Sequence, residues 1–209
     1  MAPKATPTPD YAHEGSLLAA GARFVAGVDE AGRGPLAGPV TAAAVVLDAT
    51  CIPEGLNDSK VLARGRREEL LSSLEGAAQV GIGWASVEEI DALNILNATH
   101  FAMRRAIEAL PNRPCHVLID GNSCPPNLPC PSTPLVGGDG LCVSIAAASI
   151  VAKVARDRVM AELDAAYPGY GWAKNAGYAT VEHRRALQHL GVTPHHRRSF
   201  APVHQMLCN

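Results

Sequence analysis

Apolar and polar positions alternate along this chain in ways that divide it into strands and helices. Phe24-Val25-Ala26-Gly27-Val28 is a short apolar run that ends in acids and glycines. It predicts a buried strand followed by a tight turn at Ala31-Gly32-Arg33-Gly34-Pro35. Val40 to Leu47, rich in β-branched residues, predicts a second strand, and the short connection suggests a hairpin. Helical spacing spans Arg64 to Leu74, and Val80 to Ala85 reads as a third strand. Ser86-Val87-Glu88-Glu89 has capping-box form and predicts the start of one long helix carrying Ile90, Leu93, Ile95, Leu96, Met103 and Ile107. His116 to Ile119 is a fourth strand, closed by Asp120-Gly121-Asn122, and Pro134-Leu135-Val136 a short fifth. Val143 to Ala166 is the clearest helix, and Val181 to Leu190 is another that stops at Gly191. Strands first, then strands alternating with helices, indicate an α/β domain with a mixed sheet and its last helices at one end. Residues 1–20, polar and Pro-rich and then Ala-rich, read as a flexible tail before a single domain over 21–209.

Composition refines this outline. Hydrophobic residues are 47% of the 209 and aromatics only 4%, so the core must be built from Ala, Val, Ile and Leu. Charged residues, at 18%, fall below the usual quarter, which argues for a compact globule. None of the six cysteines forms a C-x-x-C pair, and reduced, incidental thiols are expected. The first fifteen residues lack an apolar signal core and no apolar run is long enough for a bilayer, so a cytoplasmic protein without membrane contact is expected. Net charge is −2, but residues 171–209 hold five Lys and Arg against Glu182 alone. That basic end fits a polyanion partner and fits a solvated surface equally well.

The candidate chemistry is carboxylate. Asp29 and Glu30 close the first strand, Asp120 closes the fourth, and Asp139 lies in a Gly-rich loop before the long helix. Adjacent strand residues face opposite ways, so Asp29 and Glu30 converge only if the strand ends there. Acids gathered at one sheet edge repel one another unless a cation is bound. Mg²⁺ suits such oxygen ligands, and two ions together suit phosphodiester hydrolysis. On composition alone, Asp-Gly turns explain the same residues without any metal.

Longer blocks carry more. Val25-Ala26-Gly27-Val28-Asp29-Glu30-Ala31-Gly32-Arg33-Gly34-Pro35, Gly55-Leu56-Asn57-Asp58-Ser59-Lys60 and Leu118-Ile119-Asp120-Gly121-Asn122 occur in that order. Ser144 to Lys153 with Arg156-Asp157 follow, then Tyr167-Pro168-Gly169-Tyr170-Gly171 and His196-Arg197-Arg198-Ser199-Phe200-Ala201-Pro202. Over residues 23–203 the chain resembles the type 2 ribonucleases H, specifically bacterial ribonuclease HII. The resemblance implies a ribonuclease H-like fold with a central mixed five-stranded sheet flanked by helices, and a C-terminal helical part at about 168–209. It implies an endoribonuclease that cuts RNA–DNA hybrids and duplex DNA containing single ribonucleotides, on the 5′ side, leaving 3′-hydroxyl and 5′-phosphate ends, with a role in ribonucleotide removal. Mg²⁺ or Mn²⁺, two ions with substrate bound, would sit on Asp29, Glu30, Asp120 and Asp139. Gly32, Arg33 and Gly34 would read the ribose 2′-hydroxyl, and Tyr178 would pack on the following deoxyribose. Lys60, Lys153, Arg197 and Arg198 are further substrate-contact candidates, and a monomer is expected.

The match departs in three places. Gly137, Ala176 and Leu141 stand where family members usually carry basic or polar residues. These departures spare the acids and bear on phosphate grip. Two alternatives share the fold: a hybrid-binding module without catalysis, and another ribonuclease H-like metal nuclease such as a junction resolvase. Intact acids argue against the first, and the Gly-Arg-Gly turn with Tyr178 argues against the second, which needs no 2′-hydroxyl reader.

Overall fold

A computed structural model describes residues 8–208. Its centre is a five-stranded sheet built from β1 (Val25–Ala31), β2 (Val40–Leu47), β3 (Ala78–Ala85), β4 (His116–Asp120) and β5 (Ser132–Leu135). The spatial order is β3-β2-β1-β4-β5. The first three strands form an antiparallel meander, while β1–β4 and β4–β5 are parallel. The mixed sheet and the expected hairpin are therefore both present.

Helices cover both faces, which is why all eight residues of β2 are buried. On one face, Ala42, Ala44 and Val46 pack with Ala98, Ala102, Met103 and Ala106 of α4 (Ile95–Glu108). On the other, Ala43, Val45 and Leu47 meet Leu70 and Leu74 of α2 (Arg64–Leu74) and Ala146, Ala147 and Ile150 of α5 (Val143–Ala166). The first three turns of α5 are buried all round, as expected of a helix apolar on every side. A third core gathers Leu36, Ala37, Met160, Tyr170, Trp172, Leu187 and Val203. It joins the loop after β1 and the far end of α5 to α6 (Trp172–Asn175), α7 (Val181–Leu190) and α8 (Ala201–Leu207). Among the described residues no helix is long and apolar enough to cross a membrane.

Two expectations need correction. The helix beginning at Ser86 is not continuous: α3 (Val87–Leu93) ends at Asn94, whose φ of 67° breaks the spiral. Its ψ of 163° takes the backbone outside both helical regions, and its side chain accepts the Asn97 N–H (3.1 Å), so it starts α4 as it ends α3. The capping box at Ser86 and Glu89 does form. The expected tail also fails as drawn. Residues 1–7 lie outside the described residues, but α1 (Ala12–Ala19) is helical and packs Leu17 and Leu18 beside Val25, Leu118 and Ile145. Its Glu14 is fully buried, a placement that an isolated polar stretch does not announce.

β1 and α5 approach closely, as β3 and α4 do at Gly81 and Gly83. A Cβ added at Gly27 would lie 2.1 Å from the Ser144 carbonyl carbon and 2.3 Å from the Ile145 nitrogen, both backbone. Neither can yield, so Gly27→Ala is expected to destabilise the fold by about 2–3 kcal/mol or prevent folding. Gly15→Ala, in α1 with nothing within 4 Å, is the matched control, expected to be neutral or to gain up to about 1 kcal/mol. Denaturant unfolding of the two variants checks the contrast.

Candidate active site

The parallel pairing of β1 with β4 sets the C-terminal ends of both strands side by side, with Val28 opposite Ile119. Asp29 and Asp120 therefore emerge at one sheet edge. Asp139 arrives from the 3-10 turn Gly138–Gly140, held there because the Gly138 N–H donates to Asp120 Oδ1 (2.7 Å). One carboxylate oxygen from each of Asp29, Asp120 and Asp139 lies within 4.8 Å of the others. Glu30 shares the cleft but not this tight group. The strand runs on to Ala31, so consecutive side chains diverge, and the Glu30 carboxylate accepts from Arg33 (3.2 Å).

Such a group is electrostatically strained. Burial raises the Asp29 carboxyl well above its ordinary range, and the charges of Glu30 and Asp120 push it further. Burial and then Asp139 raise Asp120 in the same direction. Lys60 answers the charge: its Nζ donates to Asp139 Oδ2 (2.9 Å) and Asp58 Oδ1 (3.2 Å). Burial opposes its charged form, but Asp139, Asp29 and Asp58 together raise its pKa. An ammonium standing among three carboxylates shows that they suit a cation. The donor set is all oxygen, partly open to solvent and highly charged, which fits Mg²⁺ or Mn²⁺.

Beside the acids lies the turn Gly32-Arg33-Gly34, and its shape is imposed from behind. Arg197, entirely buried, donates to the carbonyls of Gly32 (2.6 Å), Arg33 (3.0 Å), Gly38 (2.9 Å) and Pro39 (3.1 Å). Arg156 donates to Pro39 (3.0 Å), Ala37 (3.1 Å) and Ala176 (3.0 Å). Gly32 has φ +96°, and a Cβ there would lie 2.0 Å from Arg156 Nε. With the Gly32 and Arg33 carbonyls occupied, the turn offers N–H groups: among the described residues those of Arg33 and Gly34 have no partner.

Tyr178, 49% exposed, lines the same cleft with its ring against Gly34. Its carbonyl accepts from His183 Nδ1 (2.9 Å), which leaves His183 Nε2 to accept from Trp172 Nε1 (3.0 Å). The Thr193 N–H donates to His196 Nδ1 (3.0 Å), so His196 donates through Nε2 to His183 (3.1 Å). Burial, with His183 and His195 nearby, pushes His196 down to about 4, and the pair is neutral at physiological pH. His196 is thus structural, and His195 packs against Tyr167.

Of the sequence candidates, Asp29, Glu30, Gly32, Arg33, Gly34, Lys60, Asp120, Lys153 and Tyr178 line one cleft, and Asp139 touches Lys60 at its edge. Lys153 also pairs with Asp157 (2.6 Å). Arg197 is a correction: it does not face outward but holds the Gly32–Pro39 segment, removing one cation from the expected basic surface. Arg198 is exposed, outside the cleft lining, and donates its backbone N–H to Asp91 (3.0 Å). By sequence, Arg156 sits in the charged stretch Lys153-Val154-Ala155-Arg156-Asp157-Arg158 and could face substrate or pair with Asp157; instead it is buried and holds backbone carbonyls. Gly137 and Ala176 are both left-handed, with φ 68° and 49°.

The description "Ribonuclease HII" belongs to a family whose model matches residues 26–203. The ribonuclease HII of Paracoccus denitrificans is 64% identical over 200 residues, covering 96% of this chain and 95% of that protein. That of Ruegeria pomeroyi is 63% identical over 199 residues, covering 95% and 85%. Among solved structures, ribonuclease H2 from Pyrococcus horikoshii superposes with a TM-score of 0.74 at 29% identity, covering 88% of this chain and 97% of that one.

The raised carboxyl of Asp29 fixes a pH dependence. In metal-free buffer the folded state holds a proton that the unfolded chain releases near the ordinary 3.8. The stability this contributes is full below that pH and is lost as pH rises through the folded value. Thermal unfolding in a chelator should therefore show stability falling from mildly acid to neutral pH. Asp29→Asn should flatten the fall and unfold at a higher temperature than wild type near neutrality. Added Mn²⁺ should restore wild type more than the variant. A variant that tracks wild type at every pH would place the strain elsewhere.

Proposed function

This chain belongs to the ribonuclease HII family, and from that premise we propose that it cuts on the 5′ side of a ribonucleotide, in a hybrid or alone in duplex DNA. The coarse activity is hydrolysis of the RNA strand of RNA–DNA hybrids, dependent on a divalent metal. The finer reading leaves 3′-hydroxyl and 5′-phosphate ends, serves ribonucleotide removal from DNA, and has the enzyme act as a cytoplasmic monomer. The observation that carries it is the meeting of Asp29, Asp120 and Asp139 beside a turn whose Gly32 and Arg33 carbonyls are already occupied.

In this reading Asp29, Asp120 and Asp139 hold the metal, with Glu30 joining across the shared cleft. When bound, Mg²⁺ or Mn²⁺, two ions with substrate in place, supplies an activated water and charge for the leaving oxygen. The protein's own part is recognition and placement. The 2′-hydroxyl both donates and accepts, and it is the atom that separates RNA from DNA. The unpartnered N–H groups of Arg33 and Gly34 suit its oxygen, and the fixed carbonyl frame keeps them in place without reorganisation. Tyr178, held by His183 through its own carbonyl, offers an apolar ring to the sugar that follows. Lys60 and Lys153 line the cleft as phosphate partners.

Asp29→Asn, Glu30→Gln, Asp120→Asn and Asp139→Asn are each expected to cut kcat by at least about a thousandfold on a duplex holding one ribonucleotide, with folding intact. Activity within a few-fold of wild type in any of them removes that residue from the group. Mapping the product ends tests the position of the cut.

Tyr178→Ala is expected to slow cleavage at a lone ribonucleotide by about tenfold, the scale of one lost stacking contact. A continuous hybrid, which has a ribose where the deoxyribose would lie, should be slowed less. Equal slowing of both substrates would make the tyrosine a packing residue only.

A further inference from the structure

The long helix α5 lacks a cap of its own. Cys142 precedes it, and that side chain makes no capping hydrogen bond, its sulfur meeting only the Ser144 hydroxyl of the first turn (3.3 Å). The first N–H groups of a helix nevertheless need acceptors. They come from residues 130 positions or so earlier in the chain. The Val143 N–H donates to the Asp10 carbonyl (3.0 Å), and the Ser144 N–H donates to Glu14 Oε1 (2.8 Å). The Cys142 thiol donates to the same oxygen (3.0 Å), and the Asp10 N–H returns to the Leu141 carbonyl (3.1 Å). Glu14 is 0% exposed, and its Oε2 has no partner. Burying a carboxylate with an orphaned oxygen is costly, and the positive end of a 24-residue helix is its evident compensation.

The same strip carries Asp139. The N–H groups of Leu141 (3.0 Å) and Cys142 (2.8 Å) both donate to the Gly138 carbonyl, closing the turn that presents Asp139 to the cleft. Residues 138–144 therefore hold Asp139 at one end and receive Asp10 and Glu14 at the other. An ordinary cap at position 142, serine or aspartate, would satisfy the helix locally. A buried glutamate from a separate helix instead ties the strip to α1, which packs against β1 and α5.

We propose that Glu14 is a positioning residue for the acidic site: through Ser144 and Cys142 it fixes the Gly138–Ser144 strip and so the placement of Asp139. The inference rests on the assignment of Asp139 to the metal-holding group. Without Glu14 the Ser144 N–H and the Cys142 thiol lose their acceptor, the strip relaxes, and Asp139 no longer meets Asp29 and Asp120 at the required spacing.

The test uses full-length protein and two readouts: Mn²⁺ binding by calorimetry without substrate, and steady-state cleavage of a duplex holding one ribonucleotide. Glu14→Ala removes the acceptor, Glu14→Asp keeps the charge but shortens its reach, and Glu14→Gln keeps an oxygen in place. Asp139→Asn is the control, and circular dichroism with thermal unfolding establishes folding. Glu14→Ala and Glu14→Asp are expected to lower Mn²⁺ affinity about tenfold and kcat in parallel, the scale for lost support behind a metal ligand. KM should move by less than about twofold, and Glu14→Gln should stay within about threefold of wild type. If Glu14→Ala does not fold, Glu14→Asp decides. A folded Glu14→Asp with wild-type Mn²⁺ affinity and kcat overturns the proposal, as does a glutamine variant as impaired as alanine. If Asp139→Asn loses affinity while the Glu14 variants keep it, the site assignment stands and the positioning role falls. Unchanged affinity in Asp139→Asn removes the assignment of Asp139 and the role of Glu14 with it.

Discussion

Two guanidinium groups inside the protein hold the chain after β1 by its carbonyl oxygens, and the cleft is arranged around the segment they fix. Arg156 and Arg197 make these bonds to backbone rather than to a carboxylate. Burial lowers both, Arg156 to about 10 and Arg197 to about 9, so both remain charged near neutral pH. A buried charge without a counter-ion is tolerated only when its donors are well used. Arginine alone has a planar fork able to grip four carbonyls at once; lysine would leave most of them bare. The geometry accounts for Gly32 as well, since any Cβ there would run into the Arg156 side chain. A turn built this way is held in place, and among the described residues it leaves the Arg33 and Gly34 N–H groups without an acceptor.

That polarity complements the neighbouring acids. Asp29, Asp120 and Asp139 present oxygen and negative charge, while the turn presents N–H groups a few residues along the chain. A phosphodiester with a 2′-hydroxyl carries both kinds of partner, an anion that needs a cation between it and the acids, and a hydroxyl that needs directed bonds. The strand order does the joining. Because β1 is central and pairs with β4 in parallel, their ends deliver two acids together, and the antiparallel turn to β2 begins beside them. Lys60 moderates the repulsion from outside the sheet, reaching Asp139 from the loop before α2.

Much of this was legible from residue pattern. The β2, α2, α5 and α7 boundaries follow from the local spacing of apolar residues, with Pro168 just past α5 and Gly191 just past α7 as stops. The cleft residues were legible as blocks in order. What escaped depends on distant partners. Asn94 breaks a helix because its own backbone leaves the helical region, although the apolar spacing continues across it. Arg197 reads as part of a basic surface because sequence reveals the charge and not the four carbonyls around it. Glu14 reads as solvated for the same reason: the helix terminus that receives it lies 130 residues away. Charge is a local property of sequence, but burial of charge is a property of topology.

The two supports differ in where they lie relative to the segment that the family model matches. The family match spans 26–203 and so contains Arg156, Arg197 and the loop they grip. It begins after Glu14, whose bonds to the α5 junction are as short as theirs. The acidic strand thus lies between a clamp inside the family core and a strap outside it. The clamp acts on the turn that faces substrate and the strap on the strip that carries Asp139. Bracing needs only an acceptor at a helix N-terminus, and sequence offers many routes to one. The catalytic strand has no such freedom: Gly27 leaves no space for a side chain, and β1 has a neighbour on either edge.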